Sequence, residues 1–113
     1  MPVDKTGAHA SIHAEEGRYT ISIDDRVVGH ASFADRGDRR VFDHTEILPE
    51  FGGRGLATLL VEKALNDARD AGKRIVPVCS MIDTVLDKHP EFAAITDPVT
   101  DDVLRWARTR STG

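Results

Sequence analysis

Between Arg18 and Leu48 the chain alternates apolar and polar residues with a period of two; after Leu56 the period lengthens to that of a helix. Tyr19, Ile21 and Ile23 interleave with Thr20, Ser22 and Asp24, which predicts a half-buried strand. Asp24-Asp25 predicts a tight turn, because short acidic side chains tolerate turn backbones. The next strand, Arg26 to Phe33, sets Val27, Gly29, Ala31 and Phe33 on one face, and Ala34-Asp35-Arg36-Gly37-Asp38 forms a second turn. A third strand, Arg39 to Leu48, divides into Val41, Asp43, Thr45, Ile47 and Phe42, His44, Glu46, Leu48, unless a bulge near its end changes the faces. Together these predict an antiparallel meander. Residues 1–10 show no usable period and predict a loose tail.

The helical period is carried by Ala57, Leu60, Val61, Ala64, Ala68 and Ala71, with Glu62, Lys63, Asp67 and Asp70 opposite, and Gly72-Lys73 supplies the stop. Ile75 to Cys79 reads as a buried strand parallel to the one before the helix. Pro77 cannot donate to a ladder, so that strand is expected at an edge or locally splayed. Ser80, with Asp83 three residues later, predicts the cap of a further helix that ends at His89-Pro90. Thr100 caps the last helix, with Asp101 and Asp102 at its positive end and Arg105, Arg108 and Arg110 towards its negative end.

The stretch from Leu48 to Ala57 joins the third strand to the first helix through Gly52, Gly53 and Gly55. Without β-carbons, such a turn lets backbone N–H groups converge on an anion, and the helix start adds its own unpaired N–H groups and positive dipole end. A pyrophosphate fits that chemistry; a plain strand-to-helix connection with glycines for close packing fits the spacing equally.

Length and charge narrow the classes. At 113 residues, 1–113 is expected to be a single domain, and a net charge of −4 argues against a dedicated nucleic-acid or membrane-surface binder. The arginines near the C-terminus then read as a solvated helix end. No apolar run approaches the ~20 residues of a membrane span, and the polar start has no signal-peptide character, so a cytoplasmic location is expected. Cys79 is the only cysteine, which rules out an internal disulfide and a cysteine-based zinc cluster.

From Arg18 to Phe92 the sequence resembles the GCN5-related N-acetyltransferases, and more closely a minimal short-chain subfamily without the usual front helices. The resemblance rests on His44-Thr45-Glu46, on Gly52-Gly53-Arg54-Gly55-Leu56-Ala57, and on Val76-Pro77-Val78-Cys79 followed by a short helix and His89-Pro90-Glu91-Phe92. The superfamily's acyl-CoA signature is Arg or Gln, two free positions, Gly, one free position, then Gly or Ala. Here it falls on Gly52 to Ala57, with Gly52 where a long polar residue is usual, which removes a side-chain contact and keeps the backbone cradle.

The resemblance implies a mixed α/β fold: an antiparallel meander, a strand–helix–strand acyl-CoA unit and short C-terminal helices. It implies acetyl-CoA as cofactor, with pyrophosphate on the N–H groups of Gly53, Arg54, Gly55, Leu56 and Ala57. The pantetheine arm would lie along Ile47 and Leu48, in a slot where the third and fourth main strands diverge. The implied activity is acetyl transfer to an amine acceptor that the sequence does not identify. The alternatives are a non-catalytic acyl-CoA-binding or sensing module and an unrelated nucleotide binder. The last is weakened by the missing Lys-Ser/Thr pair of a P-loop after Gly55.

Three residues are candidates for the chemistry. His44 and Glu46 lie on one strand face near the expected thioester and suit the base that deprotonates the amine; hydrogen bonding to a neighbouring strand and simple solvation are their plain alternatives. Cys79 stands just before a helix start, where thiol pKa values fall, and suits a general acid or an acetyl-carrying nucleophile; a buried structural thiol is the alternative. A tyrosine acid is often found in the superfamily, yet Tyr19 is the only tyrosine and lies far from Cys79 in sequence. His9, His13, His30 and His89 lack ligand-like spacing with carboxylates, so no metal site is expected. Oligomeric state is open.

Overall fold

A computed structural model describes residues 9–53 and 55–111. Five strands, β1 (Ala10–Glu15), β2 (Arg18–Ile23), β3 (Arg26–Arg36), β4 (Arg39–Ile47) and β5 (Arg74–Pro77), form one sheet in the order β1-β2-β3-β4-β5. The first four are an antiparallel meander, and β5 joins β4 in parallel. Helix α1 (Leu56–Asp70) connects β4 to β5; α2 (Ser80–Asp87) and α3 (Asp101–Ser111) follow. Short 3-10 helices occupy Pro49–Phe51 and Pro90–Ile95. This is the mixed α/β fold that the sequence predicts. Among the described residues, no helix is long and apolar enough to cross a membrane.

The chain begins its structure earlier than the alternation suggests. Residues 1–8 of the expected tail lie outside the described residues, but Ala10 is fully buried and opens β1. The six residues of that strand place only Ala10, Ile12 and Ala14 on the inner face, too little apolar bulk to register as a period. The Asp24-Asp25 turn is as expected: both residues have positive φ, 50° and 66°, the geometry of a two-residue hairpin turn.

Two bulges rearrange the expected strand faces. The β2–β3 register slips at Ile21/Ser22, so Val28 enters the core while Val27 is 56% exposed, reversing the alternation read from Val27. A second slip, at Ser32/Phe33, leaves Asp43 of β4 without a directly opposed partner. Before it, Phe42 packs in the main core; after it, Thr45 and Ile47 take that side, opposite Ala31 and Gly29. His44 and Glu46 therefore remain together, but on the face of Val41 and away from Phe42. Gly29 is required for close approach: a β-carbon there would overlap Ile47 Cδ1 and come within 2.9 Å of Glu46 O.

The main core lies between one sheet face and α1, α2 and Phe92, with Leu60, Val61, Leu65, Ile82 and Phe42 at most 1% exposed. A smaller cluster on the opposite face joins Val41 and Val76 to Val103 and Ala107 of α3. Helix α1 ends as its Gly72 stop predicts: Gly72 has φ +73°, Gly72 N–H donates to Arg69 O and Lys73 N–H to Ala68 O. Thr100 caps α3 through a bond from Val103 N–H to its Oγ1 at 3.3 Å.

Candidate functional site

The glycine turn has a backbone that only glycine adopts readily. Gly53 and Gly55 have φ of +77° and +80°, a backbone that side-chain-bearing residues rarely adopt. A β-carbon on Gly53 would meet nothing within 4 Å, so this glycine serves backbone conformation and open space, not close packing. Gly55 is the N-cap of α1 and offers no side-chain bond; the first helical hydrogen bond is Leu59 N–H to Gly55 O at 3.2 Å. The N–H groups of Leu56, Ala57 and Thr58 consequently have no backbone acceptor among the described residues. No acidic side chain occupies the first turn. Arg54, also expected to contribute an N–H group, lies outside the described residues.

A slot opens beside that turn. Pairing of β4 with β5 ends at Phe42 opposite Pro77, while β4 runs on to Ile47. Pro77 thus stands at the edge of the sheet and at the point of splay, where its missing N–H is harmless. Leu48 N–H donates to Val28 O at 2.8 Å, which fixes His44, Glu46 and Leu48, beyond the bulge, as the positions bonded to β3. By the antiparallel alternation, the N–H and C=O groups of Thr45 and Ile47 face the other way, into the slot. Thr45 Oγ1 is buried without a hydrogen-bond partner among the described residues. These are the groups an extended amide chain would pair with.

Cys79 lies at the mouth of the splay, but not as the end of a strand. Strand β5 stops at Pro77, and Cys79 N–H turns to donate to Phe42 O at 3.0 Å. Cys79 itself, not Ser80, is the N-cap of α2; its C=O accepts from Ile82 N–H, and Ser80 is already helical. The expected serine cap is corrected because Cys79 has the extended backbone (φ −77°, ψ 131°) that a cap requires. The cysteine is half-buried against the main core. Tyr19 is not a substitute acid for it. Its hydroxyl donates to Asp67 Oδ2 at 3.0 Å, and burial, then that bond, push its pKa up to about 12.

On the opposite face, His44 Nε2 and Glu46 Oε2 are 3.5 Å apart, each side chain 61% exposed. His30, directly opposite Glu46 in the β3–β4 ladder, joins them: its ring centroid is 5.7 Å from that of His44. Linear spacing separates His30 from the carboxylates, but strand pairing removes the separation. No hydrogen bond joins Cys79 to His44 or Glu46 among the described residues: the thiol precedes α2, and the candidate bases stand on β4. A cavity of about 330 Å³ opens beside His44, lined by Asp43, His44, Val78 and the α3 residues Leu104, Ala107 and Arg108. Asp43 Oδ1 is buried without a hydrogen-bond partner, and Asp43 lines this cavity. Sequence pattern gave no sign of Asp43, because its place depends on the bulge.

Comparison with known proteins bears on the family and the fold. A profile described as GCN5-related N-acetyl-transferase matches residues 18–95. Among solved structures, a GCN5-like protein from Staphylococcus aureus, proposed to be an N-acetyltransferase and determined by NMR in solution, superposes with a TM-score of 0.62 at 20% identity. The match covers 80% of this chain and 91% of that one. A proposed acetyltransferase of the GNAT family from Desulfovibrio desulfuricans has a TM-score of 0.48 at 19% identity, over 51% of this chain and 40% of that one. No curated protein matches the sequence.

Proposed function

From the premise that the chain belongs to the GCN5-related N-acetyltransferases, we propose that it binds acetyl-CoA and transfers the acetyl group to an amine. The observation that carries this reading is the conjunction of two features: a helix start without a side-chain cap whose first N–H groups have no backbone acceptor among the described residues, and a strand splay whose slot-facing backbone groups lead away from it. Bound there, acetyl-CoA would supply an acetyl group activated as a thioester. The N–H groups of Gly53, Arg54, Gly55, Leu56 and Ala57 hold its pyrophosphate, favoured by the helix dipole. Ile47, Leu48 and the slot-facing groups of β4 hold its pantetheine arm.

The acceptor amine reaches the splay through the cavity at Asp43 and His44. An amine attacks only after losing a proton, and His44, backed by Glu46 at 3.5 Å, takes it. Asp43, whose carboxylate has a buried oxygen without a partner, orients the incoming ammonium. Cys79, at the mouth of the splay, would either give its proton to the CoA thiolate as that leaves, or, as a thiolate, take the acetyl group with release of CoA and then yield it to the amine. The second reading, an acyl-CoA-binding module without catalysis, is favoured by the packing of Cys79 against the core.

Thermal unfolding with acetyl-CoA, CoA and ATP tests the binding step. At about one hundred times Kd, linkage gives ~2.7 kcal/mol and a midpoint rise of ~10 °C for both CoA species and none for ATP. No shift with either CoA species overturns the reading. Acetyl transfer to a panel of primary amines, lost in Cys79→Ala with the CoA shift retained, separates enzyme from binding module; binding without transfer to any amine favours the module.

A further inference from the structure

We propose that His30, His44 and Glu46 form a binding site for one divalent transition-metal ion of the zinc class. Their ligand atoms, one from each residue, all lie within 4.8 Å of one another. The residues come from two adjacent strands: His30 faces Glu46 across the β3–β4 ladder, and His44 is two positions before Glu46 on the same face. The backbone of the site is therefore fixed by sheet hydrogen bonds, and only side chains, those of exposed His44 and Glu46 and of half-buried His30, need to rotate to close on an ion.

The separations suit the chemistry. Metal–nitrogen and metal–oxygen bonds near 2.1 Å place tetrahedral ligand atoms about 3.4 Å apart. His44 Nε2 and Glu46 Oε2 are already 3.5 Å apart, and His30 must close by at most about 1.4 Å. Two imidazoles and one carboxylate favour zinc and its neighbours over magnesium or calcium, which prefer all-oxygen sets. The carboxylate is also available. Asp35, Asp97 and Glu50 each pair with an arginine, whereas the ion pair of Glu46 is with His44. His13 lies in the same cross-strand row beyond Thr20, two strand spacings (about 9.6 Å) from His30, and is outside the ligand set.

An ion held here occupies the imidazole lone pair that the proposed transfer reaction uses as its base. Metal binding and amine deprotonation thus compete for His44, which makes the site an inhibitory one. Only this consequence rests on the acetyltransferase reading; the site itself does not.

The test is isothermal titration of the full chain, without CoA, with Zn²⁺, Co²⁺ and Mg²⁺. One Zn²⁺ per chain is expected at this site, with weakening of at least ~10-fold in both His30→Gln and Glu46→Gln and no change in His13→Gln. Co²⁺ is expected to give the visible absorption of a four-coordinate site in the wild type and to lose it in both variants. Circular dichroism of each variant separates loss of ligand from loss of fold. Zn²⁺ binding unchanged in the folded His30 and Glu46 variants, absence of Zn²⁺ binding, or equal affinity for Mg²⁺ overturns the proposal. Because no CoA is present, none of these results depends on the transfer activity.

Discussion

Residue by residue, the site is defined as much by groups left unpaired as by groups that are paired. Thr45 Oγ1 and Asp43 Oδ1 are buried without partners, a condition that costs about 1–3 kcal/mol per group and calls for a ligand or water. Tyr19 is the opposite case, fully engaged: its hydroxyl donates to Asp67, which also accepts from Lys63 Nζ at 3.0 Å. Its pKa is raised to about 12, first by burial and then by the Asp67 bond. A phenol with a folded-state value above its unfolded value near 10 stabilises the fold fully below pH 10, and loses that contribution as pH rises towards 12. Since Tyr19 is the only tyrosine, its ultraviolet ionisation can be assigned without ambiguity. The midpoint is expected near 12 in the folded chain and near 10 in urea, and Tyr19→Phe should remove this part of the alkaline destabilisation. A midpoint near 10 in the native state would mean that the Asp67 bond is absent.

At the scale of elements, legibility followed the strength of each local signal. Helix α1 declared itself through its apolar period and Gly72, and the glycine turn through residues whose positive φ the backbone uses. Strand β1 did not, because its inner face is largely alanine. The exchange of Val27 for Val28, the role of Asp43 and the approach of His30 to Glu46 were all invisible. Each depends on a bulge or a register, which are set by how two strands pair and not by the pattern within either. The start of α1 yields a prediction that separates helix stability from ligand binding. Gly55→Val is a poor probe, since a branched residue at φ +80° strains the turn whatever binds there. Thr58→Asp is better: Thr58 lies in the first turn, where an acidic side chain favours the dipole and stabilises the helix by about 0.3–1 kcal/mol. The same charge repels a pyrophosphate. The variant should melt at or above the wild-type temperature while binding CoA at least ~10-fold more weakly in a titration. Unimpaired CoA binding would place the pyrophosphate elsewhere.

Across the whole molecule, α1 and α3 sit on opposite faces of the sheet, and the splay of β4 from β5 gives both faces access to one place. The two attachments are unequal. The main core holds α1, whereas α3 meets the sheet through Val103 and Ala107 against Val41 and Val76, with Val78 and Trp106 packed beside them and Arg36 paired to Asp102 and stacked on Trp106. What fixes the segment before α3 is Asp97. Its N–H donates to Ile75 O at 2.8 Å, and its carboxylate meets Arg74 at 2.7 Å and Arg39 at 3.3 Å, so one residue ties that segment to β5 and β4 together. The Arg74 hydrogen bond, then the charges of Arg74 and Arg39, hold the Asp97 carboxyl below its ordinary value despite the opposing effect of desolvation. A depressed carboxyl contributes stability above the unfolded value of about 3.8 and loses it as pH falls below that. Asp35, depressed mainly by its bond to Arg40, adds to the same loss. Asp97→Asn keeps the shape of the side chain and removes its charge. It should lower the melting temperature by ~4 °C at pH 7, and the difference from wild type should shrink as both are acidified from pH 5 to pH 3. A gap that stays constant over that range would show that Asp97 acts through packing alone. Because α3 forms one wall of the cavity at Asp43 and His44, the same variant should weaken amine acceptance more than CoA binding, a difference that steady-state kinetics with each substrate varied in turn would read as a rise in KM for the amine.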